Sequence, residues 1–185
     1  MHYSNDWLRA QIATGRTFDY LYFWGHRPSP TDEITASCLS QWYAAGFEYA
    51  GRYFATAEHW MMWHKALTAG DAACAERIFA DPDPRVAKSI GRKVKGYDDA
   101  AWGAVKYDHV VKGNVLKFGS DPRLKAFLLG TGDAVLVEAS PLDPQWGIGM
   151  APNEARRVDD PGKWRGTNYL GYALMEARDA LGEGK

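Results

Sequence analysis

Thr56-Ala57-Glu58-His59-Trp60-Met61-Met62-Trp63-His64-Lys65 reads as a helix that carries reactive side chains among large apolar ones. Thr56 is a suitable N-cap, because its hydroxyl can accept one of the helix's orphan amides. Glu58 and Lys65 are seven residues apart, so an ideal helix returns them to within about 20° of each other. A carboxylate and an amine then share one face, two turns apart, with Trp60, Met61, Met62 and Trp63 around them. Such surroundings can shift either pKa toward acid/base or nucleophilic work. The plainer alternative is an amphipathic helix with both charges at the water edge.

Working outward, Phe18 to Trp24 is aromatic-rich and alternates loosely, which predicts a strand. Phe47 to Phe54 predicts a short hairpin turning near Gly51-Arg52. Gly70 ends the central helix and Asp71 caps the next. After Asp81-Pro82-Asp83-Pro84 another helix starts, with Pro84 in its first turn. Asp98 or Asp99 opens a long helix that Gly113 is expected to bend or interrupt. Asp121-Pro122 starts a further helix, which stops at Gly130-Thr131-Gly132, and Ala134 to Ala139 predicts a strand. The chain then reads as irregular from Pro141 to Trp164. A last helix begins near Thr167, with Leu170, Leu174, Ala177 and Leu181 as its apolar seam. The pattern is that of a mostly α (α+β, few short strands) single domain over residues 1–185.

The 185 residues are 46% hydrophobic and 24% charged, in the range of a globular chain with its own core. Net charge is −1, which excludes a global basic field for nucleic acid but not a local patch. Such a patch is offered by Lys88, Arg92, Lys93 and Lys95, equally readable as a solvated helix face. Eight tryptophans and ten tyrosines supply platforms for flat rings as well as core. Two cysteines, Cys38 and Cys74, lack metal-ligand spacing. Without a signal peptide or spanning apolar run, a cytoplasmic setting is expected, with no membrane partner. His59 and His64 lack zincin order, and nucleophile-elbow and Walker patterns are absent. In the irregular segment, Asp143 could act as acid, base or hydrogen-bond acceptor. Trp146 could stack, and Gly147 and Gly149 could let a ligand approach the backbone. Asn168 could cap the last helix, or that helix's N-terminus could take a phosphate.

These segments, in this order, resemble the NADAR family, whose name refers to NAD and ADP-ribose. The motifs are Phe23-Trp24-Gly25; Glu58-His59 with Lys65-Ala66; Gly91-Arg92; Trp102; Gly113-Asn114 with Lys117-Phe118; Leu128 to Gly132; Leu136-Val137-Glu138-Ala139-Ser140; Asp143 with Trp146-Gly147-Ile148-Gly149; and Trp164 with Gly166 and Asn168 to Gly171. They span about residues 18–182. Two positions depart: Ser40-Gln41-Trp42 stands where the family often has Ser-Asn-Phe, and Ala57 where it often has serine.

The resemblance implies a YbiA-like helical fold and cleavage of an N-glycosidic bond at ribose C1. One group of members removes ADP-ribose from guanine in DNA or RNA, reversing a toxin's mark. The other hydrolyses phosphorylated ribosylamino-pyrimidine intermediates of riboflavin synthesis. Glu58, Lys65 and Asp143 are then the expected catalytic residues. Glu58 stabilises the ribose cation or activates water, Lys65 forms a Schiff base with the sugar or contacts phosphate, and Asp143 is the second acid/base. Substrate contacts are expected from Phe23, Trp24, Gly25, Arg92, Trp102, Trp146, Gly147, Gly149 and Asn168. No metal or other cofactor is called for. The expected partner is an ADP-ribosylated nucleic acid or a nucleotide-like small molecule, met by a monomer and paired functionally with an ADP-ribosyltransferase toxin. A non-catalytic reader of ADP-ribose or NAD is the alternative of another class.

Overall fold

A computed structural model describes residues 1–158 and 160–183, so positions 159, 184 and 185 of the expected domain lie outside the described residues. The chain runs α1 (Asn5–Ala13), β1 (Tyr20–Phe23), a 3₁₀ turn (Ala36–Leu39), β2 (Phe47–Tyr49), β3 (Arg52–Phe54), α2 (Ala57–Thr68) and α3 (Ala72–Arg77). A 3₁₀ turn (Ile78–Ala80) leads to α4 (Pro84–Gly91), α5 (Asp99–Ser120), α6 (Pro122–Gly130), β4 (Val135–Glu138), α7 (Pro152–Val158), a 3₁₀ turn (Pro161–Lys163) and α8 (Tyr169–Gly182). Helix predominates and the strands are short, as the sequence pattern predicts.

α2 is the hub. Thr56 is extended and its hydroxyl accepts the His59 amide, starting the helix where expected. Ala57 to Met62 and Ala66 are buried, and the helix packs against α3, α4 and α5. Trp60 is wholly buried and its indole N–H donates to the His109 carbonyl at 2.7 Å. Gly113 does not interrupt α5, which runs on through it to Ser120. A Cβ there would lie 2.5 Å from Trp60 Cδ1, so the glycine is a seat for the indole. Phe47 and Phe54 close over Trp60 from the hairpin. Its turn residues are Ala50 and Gly51, both left-handed (φ 50° and 73°), one position earlier than the sequence suggests.

β1 and β4 pair in parallel, Tyr20 opposite Val135 through Phe23 opposite Glu138. α8 presses onto β4 so closely that a Cβ on Gly171 would be 2.0 Å from the Leu136 carbonyl oxygen. Asn168, left-handed at φ 54° and wholly buried, ties the two together. Its side chain accepts the Glu138 amide and donates to the Leu136 carbonyl. This fixes the end of β4, and with it the direction of Glu138.

Helices α1 and α7 and the 3₁₀ turns were not anticipated. α1 is capped by Ser4 and held to α8, where Tyr3 donates to Asp179 and Tyr172 to Asn5. The segment read as irregular contains α7 and a 3₁₀ turn. No helix among the described residues is long and apolar enough to cross a membrane.

Candidate active site

A cavity of about 600 Å³ opens beside the carboxyl ends of β1 and β4. Phe23, Trp24, Gly25 and His26 form the wall that leaves β1, and Ser40 and Trp42 form a second. Glu138, Ser140, Leu142 and Asp143 enter from the end of β4 and the loop beyond it. Arg85, Lys88, Ser89 and Arg92 enter from α4 and its C-cap. Their spacing puts all four on one helix face. A recess of about 50 Å³ shares Ser40, Trp42, Lys88, Glu138 and Asp143 with this cavity and adds Glu58 and Trp146.

The recess gathers three carboxyl groups and one ammonium. Lys88 Nζ lies 4.0 Å from Glu58 Oε1 and 5.5 Å from the Trp42 ring. Burial pushes Glu58 above the usual carboxylate range, against the pull of Lys88 and of the Trp42 side chain. Glu138 is pushed up to about 8 by burial, reinforced by the charges of Asp143 and Glu58 and opposed by Lys88. Glu58 Oε1 and Glu138 Oε2 are buried with no hydrogen-bond partner among the described residues. Such oxygens are costly unless a proton or ligand meets them. At neutral pH this arrangement holds Glu138 as a proton-donating carboxyl beside Glu58 and Lys88. Asp143 is set by its own loop, its Oδ1 accepting the amides of Gln145 and Trp146.

α4 is held in place by His59. Nε2 faces the Asp81 carbonyl at 2.9 Å and Nδ1 faces the Thr56 hydroxyl at 2.8 Å. A carbonyl only accepts, so Nε2 carries the proton and Nδ1 accepts from Thr56. The imidazole is neutral, its pKa lowered by burial. It pins the Asp81–Pro84 run to α2, which sets where Lys88 points.

The structure thus brings Glu58 and Asp143 together, with Phe23, Trp24, Gly25 and Arg92 on the larger cavity and Trp146 on the recess. It does not bring in every residue expected. Lys65 is not among the lining residues. It stays half-buried with its ammonium 4.4 Å from the Tyr97 ring centre. Trp102 is buried in the core, its indole stacked toward His109. The close neighbour of Gly147 is the Glu138 carbonyl, which a Cβ would meet at 2.7 Å, and Gly149 serves a turn at φ 65°. Asn168 is the β4 tie already described and makes no side-chain cap.

Lys88, Glu138, Trp42 and Arg85 were not singled out as site residues. The sequence offers Lys88 only as one of a basic run, a nucleic-acid patch or a solvated helix face, yet its i−3 and i+4 neighbours, Arg85 and Arg92, share its face toward the cavity. A glutamate ending an otherwise apolar strand, Val135-Leu136-Val137-Glu138, was the available signal for the buried acid.

The NADAR domain model matches residues 22–182. The chain belongs to the NADAR domain family. It is 38% identical over 168 residues to N-glycosidase R617 of Acanthamoeba polyphaga mimivirus, covering 88% of this chain and 96% of that one. The NMR structure of the Escherichia coli protein YbiA superposes with a TM-score of 0.70 at 28% identity, covering 91% and 89% of the two chains. A maize chloroplastic riboflavin biosynthesis protein, PYRR, is 32% identical over 140 residues, 71% of this chain and 20% of that one. In this NADAR domain the departures from the family pattern have definite places. Gln41 donates to Asn114 at 3.0 Å, Trp42 lines the cavity, and Ala57 is wholly buried and lines neither the cavity nor the recess.

Proposed function

We propose that this NADAR-domain protein is an N-glycosidase that removes ADP-ribose from guanine in nucleic acid. The observation that carries the reading is the group formed by buried Glu58 with Glu138 and Lys88 in a recess of an aromatic cavity, with Asp143 beside it. Bond cleavage sends the electron pair to the base nitrogen and leaves positive charge on the ribose. Glu138, neutral at pH 7, gives the departing nitrogen its proton. The carboxyl group of Asp143 faces the positive charge that develops on the ribose.

The covalent role expected of Lys65 passes to Lys88, the lysine that lines the site. Transfer of its proton to the nearby Glu58 carboxylate frees the amine. Nζ then bonds to C1 and the sugar ring opens to a Schiff base. Water adds to C1 and expels the amine, releasing the sugar. Trp24 and Trp42 offer faces to the flat rings, and Arg92 offers donors to phosphate. An ADP-ribosyltransferase would supply the substrate.

A second reading is a small phosphorylated ribosylamino-pyrimidine, favoured by the net charge of −1 and by the name of the maize relative. Purified protein incubated with an oligonucleotide carrying ADP-ribose on guanine, read by mass spectrometry, tests the first. Restoration by wild type, lost in Glu138→Gln and Lys88→Met, is expected. Failure there with turnover of the pyrimidine substrate would select the second, and binding of ADP-ribose without turnover of either would select a reader.

A further inference from the structure

Outside the cavity, α5 carries a polar centre that the chemistry above does not use. Lys117 is wholly buried. Its ammonium donates to the carbonyls of Cys38 at 2.6 Å and Ser40 at 2.8 Å, with the Phe118 ring 5.0 Å away. No carboxylate among the described residues pairs with it. Burial alone holds it down to about 7. One turn earlier, Asn114 is also wholly buried and its Oδ1 accepts Gln41 Nε2 at 3.0 Å. The Gln41 carbonyl in turn accepts the Glu58 amide at 3.0 Å.

A buried ammonium without a counter-ion is an expensive way to fill space, and an apolar side chain of similar volume would cost less. What the pair on α5 accomplishes is local. It grips residues 38–41 from one side while α2 grips Gln41 from the other. The next residue, Trp42, stands by Lys88, lines the recess with Glu58 and holds the Glu58 pKa down against its burial.

We propose that Lys117, assisted by Asn114, is a positioning residue that clamps the Cys38–Trp42 segment and so fixes the Trp42 ring against the Glu58–Lys88 pair. The consequence for turnover rests on the glycosidase reading; the clamp itself does not.

The test compares wild type with Lys117→Met by hydrogen exchange of peptides covering residues 38–42 and by steady-state kinetics on the ADP-ribosyl-guanine oligonucleotide. The expected variant is folded, exchanges on the order of tenfold faster in that segment alone, and loses on the order of tenfold or more in kcat with KM changed less. Displacing Trp42, which holds Glu58 down against its burial, lifts Glu58 further, so the Glu58-dependent limb of the kcat–pH profile moves to higher pH, which a merely structural role would not produce. Asn114→Ala, which cuts the Gln41 tether, is expected to loosen the same peptide, and it decides the matter by the same readouts if Lys117→Met does not fold. Unchanged exchange at 38–42 in the folded variant, or unchanged kcat and pH profile, would overturn the proposal. A wild type that turns over no substrate would overturn the glycosidase reading instead, with exchange still judging the clamp.

Discussion

Replacing Glu138 by glutamine should make the protein relatively more stable as pH rises while removing its activity. The carboxyl ionises near 4.5 in an unfolded chain and is held up to about 8 in the native one. Below pH 4.5 both states bind the proton and the group is neutral for stability. Between 4.5 and 8 the unfolded chain releases the proton and the native chain keeps it, so native stability falls as pH rises. From pH 5.0 to 7.5 the interval is 2.5 pH units at about 1.4 kcal/mol each, reduced to about 3 kcal/mol by partial titration of the two states at its ends.

Glutamine has no proton to lose, so its stability relative to wild type should improve by about that amount across the same interval. The mispaired amide in the recess adds a cost, but one that is the same at both pH values and drops out of the difference. Urea unfolding of both proteins at pH 5.0 and 7.5 measures it. A wild-type-minus-variant gap that agrees at both pH values within about 0.5 kcal/mol would refute the claim that Glu138 is kept neutral. Activity should fall about 10²–10⁴-fold, because an amide cannot serve as the acid.

Other outcomes follow from the same geometry. Lys88→Met should abolish a borohydride-trapped enzyme–sugar adduct seen by mass spectrometry, whereas Lys65→Met should retain it, with turnover within about tenfold of wild type; an adduct that survives in Lys88→Met would return the role to another amine. Gly171→Ala forces a Cβ to 2.0 Å from the Leu136 backbone oxygen, and should lower unfolding free energy by about 3 kcal/mol; a wild-type urea midpoint would show that α8 and β4 separate freely. The neutral His59, its pKa below 6.5, supplies stability that is full above pH 6.5 and is lost as pH falls toward its native value. Relative to His59→Leu, wild type should therefore weaken as pH drops below 6.5, a trend thermal melts would detect and a constant gap would contradict.

Local signals were strong for the elements around the site. The Thr56 cap, the Asp83-Pro84 start of α4 and the Asp98 cap of α5 each satisfy orphan amides from nearby in the chain. They are therefore readable without tertiary context. Gly113 misled because the reason for it, the Trp60 indole, lies on another helix. Lys88 and Lys65 show the same limit. Both are lysines on amphipathic helices, and only the packing of α4 across α2 turns one toward the cavity and leaves the other over Tyr97. Glu138 carried no periodicity of its own, since a strand buried on both faces leaves no polar alternation to read. Asn168 was legible as a special residue but not as a tie to a strand thirty positions earlier.

The parallel pairing of β1 with β4 joins the first quarter of the chain to its last third. Neighbouring helices can collapse early on local contacts, but this pairing must close a very large loop. It leads directly into both sides of the cavity, with Trp24 following one strand and Glu138 ending the other. The chemistry should therefore mature late in folding. During synthesis, a chain still lacking α8, which buttresses β4, would have its α2 carboxyl but no assembled recess, and would remain catalytically silent until the C-terminal helix has emerged and docked.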